Sequence, residues 1–529
     1  MSRKTVLIIA LLLLAPMVAV AANMRPVGAV ETLKVGVLVP YNLPQGDAYL
    51  GGAEGGAILA AMDINAAGGI NIGGTTYMIE LVKNPATGKF YDECAYPLNP
   101  TQAYLNTKAL IDAGCKFIIG GFRTECTWEI MRAIAEHNAE VDPKDWVIYL
   151  INGASTDDLC VESKCKEMTG VDMSFAWRFR INPINSTMLF KNTLGWLQGY
   201  LLPRKLIPLF GTVKFACIAE SLEWTEKICG YFGNVGLGPN TQFVGCARTP
   251  PGTQDFEPYL DELKTAGANL VCHFYTLPDA QYLVKKWREK EYPFLLVGID
   301  VFGQAAAWPY MTGGACEYEM TEDFAGTRTP ITPLAVQFWD HFVGNFSPPA
   351  PNPPAWPVYT AWGAYNAFLT IKNCLETADT LDSTVIISTL ESLETLVLNG
   401  KAKFTSTHDV YSLSYGPTWP DGYTRALYIQ WAKVGGVLIK NVVCPVDKQY
   451  SRKCLIPPWI YTLGQVDLDF NKLIDIFDIV QVGLAFGANP GDPNWNVEAD
   501  VTADGLIDIF DIVQIALVFG ATAEPVIDP

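Results

Sequence analysis

Apolar strands alternate with amphipathic helices in two successive series, which predicts an α/β protein with two parallel sheets flanked by helices. Beyond them, an acidic tail that repeats itself predicts a separate small unit. The length of 529 residues allows about three or four such units. Apolar residues make up 50% of the chain and charged residues only 17%, so a large core can form and global disorder is excluded. The net charge of −18 argues against nucleic acid, whose phosphates need a basic footprint. Twelve acids and one base, Lys472, fall between Gln465 and Pro529, so the acidity is concentrated in the tail.

The N-terminus gives the address. Arg3 and Lys4 precede an apolar run from Thr5 to Val20, and Ala19-Val20-Ala21 supplies a small-x-small cleavage pattern. Residues 1–21 therefore read as a secretory signal peptide, with an uncleaved membrane anchor as the rival. Either places the protein outside the membrane, secreted or at the cell surface. Thirteen cysteines in that setting suggest several disulfides with at least one thiol left over. Cys160 with Cys165 and Cys444 with Cys454 are close enough in sequence to pair.

In the first series LKVGVLVP (33–40) reads as a strand, residues 51–65 as a helix and TYMIELVKN (76–84) as a strand. Helix 101–113, strand 115–121, helix 128–137 and strand 145–152 follow. The second series has helix 187–199, strand 213–221 and helices 226–232 and 256–266. Strand 269–275, helix 280–289 and strand 294–300 complete it. Ligands of open parallel sheets sit beyond the carboxyl ends of the strands. The loops there carry Tyr41 and Tyr49, Thr124 to Thr127, Ser155 and Thr156, Trp224, Tyr275 and Thr276, and Asp300. Hydroxyls and helix N-terminal amides suit a carboxylate, Asp300 an ammonium, and the aromatics an apolar side chain. For any one of these residues, capping a helix or filling a loop is the plainer role. Only their joint placement points to a small zwitterionic solute.

LKVGVLVP, GGAEGGAILAAMDINAAGGI (51–70) and FIIGGFRTECT (117–127), followed in order by INGAST (151–156), FAWRFRINPINST (175–187) and FLLVGID (294–300), resemble the leucine/isoleucine/valine-type solute-binding proteins of ABC transporters. The resemblance implies a two-lobed periplasmic-binding-protein type I fold over residues 31–445, with a multi-strand hinge crossed more than once. Lobe 1 would comprise about 31–177 and 305–380, and lobe 2 about 178–304 and 381–445, before a linker at 446–464. It further implies solute contacts at Thr124, Thr127, Ser155, Thr156 and Trp224, an amine partner at Asp300, and a disulfide between Cys94 and Cys126. The charged insertion Arg123-Thr124-Glu125 departs from the pattern, and Arg123 there favours a more acidic solute.

The tail, residues 465–522, repeats after 33 residues: DLDFNKLIDIFDIVQVGLAFG (467–487) and DVTADGLIDIFDIVQIALVFG (500–520) are identical at 13 of 21 positions. In the second copy Asp500, Thr502, Asp504, Gly505, Asp508 and Asp511 hold positions 1, 3, 5, 6, 9 and 12 of a calcium loop. The first copy offers Asp467, Asp469, Asn471, Asp475 and Asp478, but Lys472 stands where the turn glycine should be, so weaker binding is expected there. Charge runs are usually solvated faces, yet such a face has no need of Ile476, Phe477, Ile509 and Phe510 between its acids. The spacing resembles the type I dockerin module, an all-α, EF-hand-like unit. That implies calcium as a cofactor, helices at 479–486 and 512–519, and a cohesin-like or surface-layer partner, with packing on the body as the other option.

Two functions remain in competition. One is a non-enzymatic receptor that hands a small amino acid-like solute to an ABC permease in the membrane. The other is a surface enzyme or scaffold component attached through its tail. The chain has four histidines, no H-E-x-x-H, no G-x-S-x-G and no G-x-G-x-x-G, so the receptor is the expectation.

Overall fold

A computed structural model describes residues 30–41, 52–324, 327–347, 355–412, 423–424, 426–445, 447 and 449–526. Residues 1–21, expected as a signal peptide, and Tyr49 lie outside the described residues. Helices of eight residues or more and all strands are numbered below in chain order. The first sheet contains β1 (Val30–Val39), β2 (Ile70–Ile72), β3 (Thr75–Val82), β4 (Tyr91–Asp92), β5 (Phe117–Gly120), β6 (Ile148–Ile151) and β7 (Arg178–Arg180). Its order is β2-β3-β1-β5-β6-β7, with β4 beside β1. Apart from the antiparallel edge strand β2 the pairing is parallel, and Val35 on β1 lies opposite Phe117 on β5. Both faces are covered, which is why β1, β5 and β6 read as continuous apolar runs.

Helices α1 (Ala53–Ala66), α2 (Pro100–Asp112), α3 (Thr124–Glu140) and α4 (Glu162–Thr169) belong to this half. At Gly56 a Cβ would fall 2.2 Å from the Ala361 carbonyl oxygen, so this glycine lets α1 touch the later helix that returns to the lobe.

The second half opens with α5 (Ser186–Trp196), which runs on as a π-helical stretch, Leu197–Leu206. Then come β8 (Val213–Glu220), α6 (Glu226–Val235), β9 (Thr241–Thr249), α7 (Glu257–Thr265), β10 (Leu270–Tyr275), α8 (Ala280–Glu289), β11 (Leu295–Asp300) and β12 (Met320–Asp323). Later come α9 (Pro333–Phe346), α10 (Tyr359–Ala378), α11 (Ser383–Ser392), β13 (Thr395–Val397), β14 (Gly400–Ala402), β15 (Leu427–Val434) and β16 (Val437–Cys444). The second sheet has the order β16-β15-β12-β11-β10-β8-β9. It is parallel from β9 to β12 and closed by the antiparallel strands β15 and β16.

The division between lobes differs from the sequence expectation. β12 hydrogen-bonds into the second sheet, so residues 305–324 stay with lobe 2 rather than returning to lobe 1. Conversely Ile386, Leu390, Val397, Phe404 and Val410 pack into the first core, so α11 and the β13–β14 hairpin belong to lobe 1. In both places the apolar pattern fits either core, and only strand pairing and packing decide. The segment expected as a linker is also built in. Cys454, Ile456, Ile460 and Tyr461 are buried in the second core, and the Gln430 side chain bonds the Leu455 backbone through both its amide nitrogen and its oxygen.

All thirteen cysteines are described, and one disulfide forms, Cys229–Cys246, joining α6 to β9. The expected Cys94–Cys126 bridge is not formed: the Cys126 thiol donates to the Cys94 carbonyl oxygen at 3.4 Å instead of meeting its sulfur. Cys160, Cys165, Cys444 and Cys454 are likewise free and buried.

The tail carries two short helices, α12 (Ile476–Leu484) and α13 (Ile509–Ala516). They start three residues earlier than expected, because Asp475 and Asp508 act as N-caps in capping boxes completed by Asp478 and Asp511. The copies exchange backbone bonds symmetrically: Ile474 donates to Ala521 and Ile507 to Ala488, while Gly520 donates to Ile474 and Gly487 to Ile507. Each copy thus satisfies the other around a shared core of Ile474, Val482, Ile507 and Ile515.

Candidate functional site

Between the lobes lies a cavity of about 20 Å³ lined by Ser155, Ile184, Leu189, Trp224, Thr276, Ile299, Val301, Gln304, Phe324 and Tyr359. Each comes from a strand end or a crossing. Ser155 follows β6, Trp224 follows β8, Thr276 follows β10, Ile299 and Val301 flank the end of β11, and Tyr359 opens α10. Such a volume holds about one water, so the lobes are closed on each other.

Hydrogen bonds stitch the two rims together. The Ser186 amide donates to the Ser155 carbonyl at 2.7 Å on one rim and its hydroxyl to the Trp224 carbonyl at 2.9 Å on the other. The Trp128 indole donates to Glu223, and Lys227 pairs with Asp158 at 2.8 Å. Gln304 Oε1 accepts from the Tyr359 amide while its Nε2 donates to Glu322, and the Tyr359 hydroxyl reaches the Gly153 carbonyl.

Two buried glutamates shape the loops. Glu93 accepts from the amides of Gly121, Phe122 and Arg123, at 2.7 to 3.1 Å, just before α3. Glu220 does the same in lobe 2: it accepts from the amides of Thr276 and Leu277, the Thr276 hydroxyl and the Trp224 indole. Burial pushes both carboxyls up to about 7, against these bonds. Trp224 and Thr276, one on each side of the lobe 2 wall, are therefore aimed by a single carboxylate.

Of the expected contacts, Ser155 and Trp224 line the cavity. Asp300 does not. Strand alternation puts Ile299 and Val301 on the cavity and turns Asp300 into the lobe 2 core, fully buried beside His273 and Glu319. Tyr275 is turned inward for the same reason, its hydroxyl 2.8 Å from that of Thr249, and its neighbour Thr276 faces the cavity instead. Thr127 bonds back to the Arg123 carbonyl in the first turn of α3, and Thr156 is buried with its carbonyl accepting from Arg180. Neither lines the cavity, and nor does Thr124, whose buried hydroxyl has no hydrogen-bond partner. Tyr49 lies outside the described residues. Ile184, Leu189, Gln304, Phe324 and Tyr359 are not singled out in the sequence: Phe324 follows β12, a strand that the sequence pattern does not mark, and the others lie on helices or just before one.

The tail loops have a common geometry. Asp467 accepts from the amides of Asn471 and Lys472, and Asp500 from those of Asp504 and Gly505. Asp478 and Asp511 accept from residues of their own loops, Leu468 and Thr502. Lys472 adopts φ 73°, the left-handed conformation that Gly505 takes at φ 87° in the other copy. One oxygen each from Asp467, Asp469 and Asp478 lies within 4.8 Å of the others. Burial pushes Asp467 and Asp500 up to about 6. All-oxygen donors at this spacing fit a hard cation.

A family model described as "Periplasmic binding protein" matches residues 32–415. The chain belongs to that family. None of the curated proteins compared with it matches. Among solved structures, a branched-chain amino acid transporter substrate-binding protein, LivJ, from Streptococcus pneumoniae in complex with isoleucine superposes with TM-score 0.57 at 16% identity, covering 78% of this chain and 99% of its own. A leucine-, isoleucine-, valine-, threonine- and alanine-binding protein from Brucella ovis, in closed conformation, gives 0.58 at 16%, covering 78% and 94%. A solute-binding protein of an ABC transporter from R. palustris, in complex with benzoate, gives 0.54 at 14%, covering 77% and 95%. At this identity the likeness shows the fold: two α/β lobes of the periplasmic-binding-protein type.

Proposed function

We propose that this family member is the extracytoplasmic solute receptor of an ABC importer, not an enzyme. It grips a small molecule between its lobes and delivers it to a membrane permease. The observation that carries this reading is the cavity itself, walled by strand-end loops of both lobes and by two crossings. Ser155, Thr276, Gln304 and Tyr359 supply its few polar groups, while Trp224, Phe324, Ile299 and Val301 supply the apolar wall. The solute is of the amino-acid or aromatic-acid kind bound by the similar structures.

The tail is a calcium-binding, dockerin-like module. Asp500, Thr502, Asp504, Asp508 and Asp511 would hold one ion and Asp467, Asp469, Asn471, Asp475 and Asp478 a second. Bound calcium neutralises the clustered carboxylates and stabilises the paired helices. The exposed Ile476, Phe477, Ile509 and Phe510 at the helix starts suit a cohesin-like or surface-layer partner.

Calorimetric titration of the full chain against amino acids and aromatic acids tests the receptor. One compound should bind saturably without turnover, and Trp224→Ala should weaken it about tenfold or more, the order of an aromatic anchor's contribution. Turnover, or no heat with any compound, overturns the reading.

A further inference from the structure

Below the cavity wall, three titratable side chains meet in the core of lobe 2. His273 stands on β10, Asp300 ends β11 and Glu319 immediately precedes β12, and all three are completely buried. The parallel register sets His273 opposite Gly298, which puts Asp300, two residues on, on the same sheet face. Gly298 allows the tight approach, since a Cβ there would fall 1.9 Å from the His273 carbonyl oxygen.

Each of the two carboxylates has one oxygen turned to a neighbour in the protein and one turned to the cluster. Glu319 Oε2 accepts from the Trp308 indole at 2.6 Å, and Asp300 Oδ1 accepts from the Phe302 amide at 3.0 Å. Both nitrogens of His273, Asp300 Oδ2 and Glu319 Oε1 remain, and each is buried without a hydrogen-bond partner. Nε2 lies only 3.2 Å from Glu319 Oε1, yet the pair is not aligned as a hydrogen bond. One donor atom from each residue lies within 4.8 Å of the other two. The two carboxylates, each fixed through its outer oxygen and converging with an unpartnered imidazole, are arranged as metal ligands are.

We infer that His273, Asp300 and Glu319 form a buried structural site for a divalent transition cation, with zinc the best match. One imidazole and two carboxylates supply three of the four positions zinc takes, whereas calcium and magnesium want six or more oxygens. Two carboxylates and one dication sum to zero, which removes the cost of isolated buried charge. The site stands apart from the solute cavity and from the tail, so it does not depend on the proposed receptor role.

Because the cluster has no exposure, the ion must enter during folding. The full chain should therefore be refolded with zinc chloride under excess calcium, which keeps the tail carboxylates occupied, and then crystallised. Diffraction at the zinc absorption edge should show an anomalous peak about 2 Å from the three atoms. A map without that peak overturns the site, including the case in which Asp300 and Glu319 merely share a proton. Elemental analysis after dialysis should find one zinc per chain, lost in His273→Gln and in Glu319→Gln. Zinc retained in full by both variants also overturns it. If neither variant folds, the anomalous map on the intact chain decides alone.

Discussion

Glu93 and Glu220 hold equivalent posts in the two lobes: each is a buried carboxylate that collects the amides at the mouth of the next loop. Burial pushes both to about 7, and Glu322 to about 8, from an ordinary 4.5. Each carboxyl therefore keeps its proton to higher pH when folded than when unfolded. Between about pH 4.5 and 8 the folded chain binds more protons, so its stability falls as pH rises through that window. At saturating calcium the melting temperature should be roughly 5 °C or more higher at pH 5.5 than at pH 8. Glu220→Gln should flatten that slope. A melting temperature that climbs from pH 5.5 to 8 would show these carboxyls to be ionised throughout. The residue scale is also where the sequence was least readable. Which side of a strand end faces a cavity changes with every residue, so the strand-end rule marks Asp300 where Ile299 and Val301 line the cavity, and of Tyr275 and Thr276 only the second does.

At the scale of elements, the left-handed backbone at Lys472 is the clearest local conflict. A lysine there takes a conformation that Gly505 adopts freely in the other copy. Lys472→Gly should raise the calcium affinity of the first loop a few-fold and stabilise the module by about 1 kcal/mol, offset in part by loss of the ion pair to Glu524. Calcium titration followed by helix ellipticity on the full chain measures both. This strain was legible in the sequence because two aligned copies expose a single odd residue. Most strands were legible too, since β1, β5, β6, β8, β10 and β11 are buried on both faces and read as apolar runs. β9 was missed because it is an edge strand, half-exposed along TQFVGCART and lacking such a run. The two-residue β4 was too short for any periodicity. The disulfide from α6 to β9 went unseen with β9, since pairing a cysteine requires knowing what lies beside it.

At the scale of the molecule, the tail is joined to lobe 2 through Glu498. Its carboxylate pairs with Lys205 at 2.9 Å and accepts from Tyr200, and its carbonyl accepts from Lys453. Both lysines are buried, so Glu498→Ala strands their charge and should cost about 3 kcal/mol, near the lower end for breaking a buried pair. Urea unfolding should then show the tail separating before the lobes; a single unshifted transition would mean that the contact is not used in solution. The shut cavity has its own bearing on how fast the protein can work. With space for about one water, no solute can slip in sideways, so the doors must part before any guest arrives. The arrival rate is then governed by how often the molecule yawns open rather than by diffusion alone. Ser186, whose amide reaches one rim and whose hydroxyl the other, is a bolt between them.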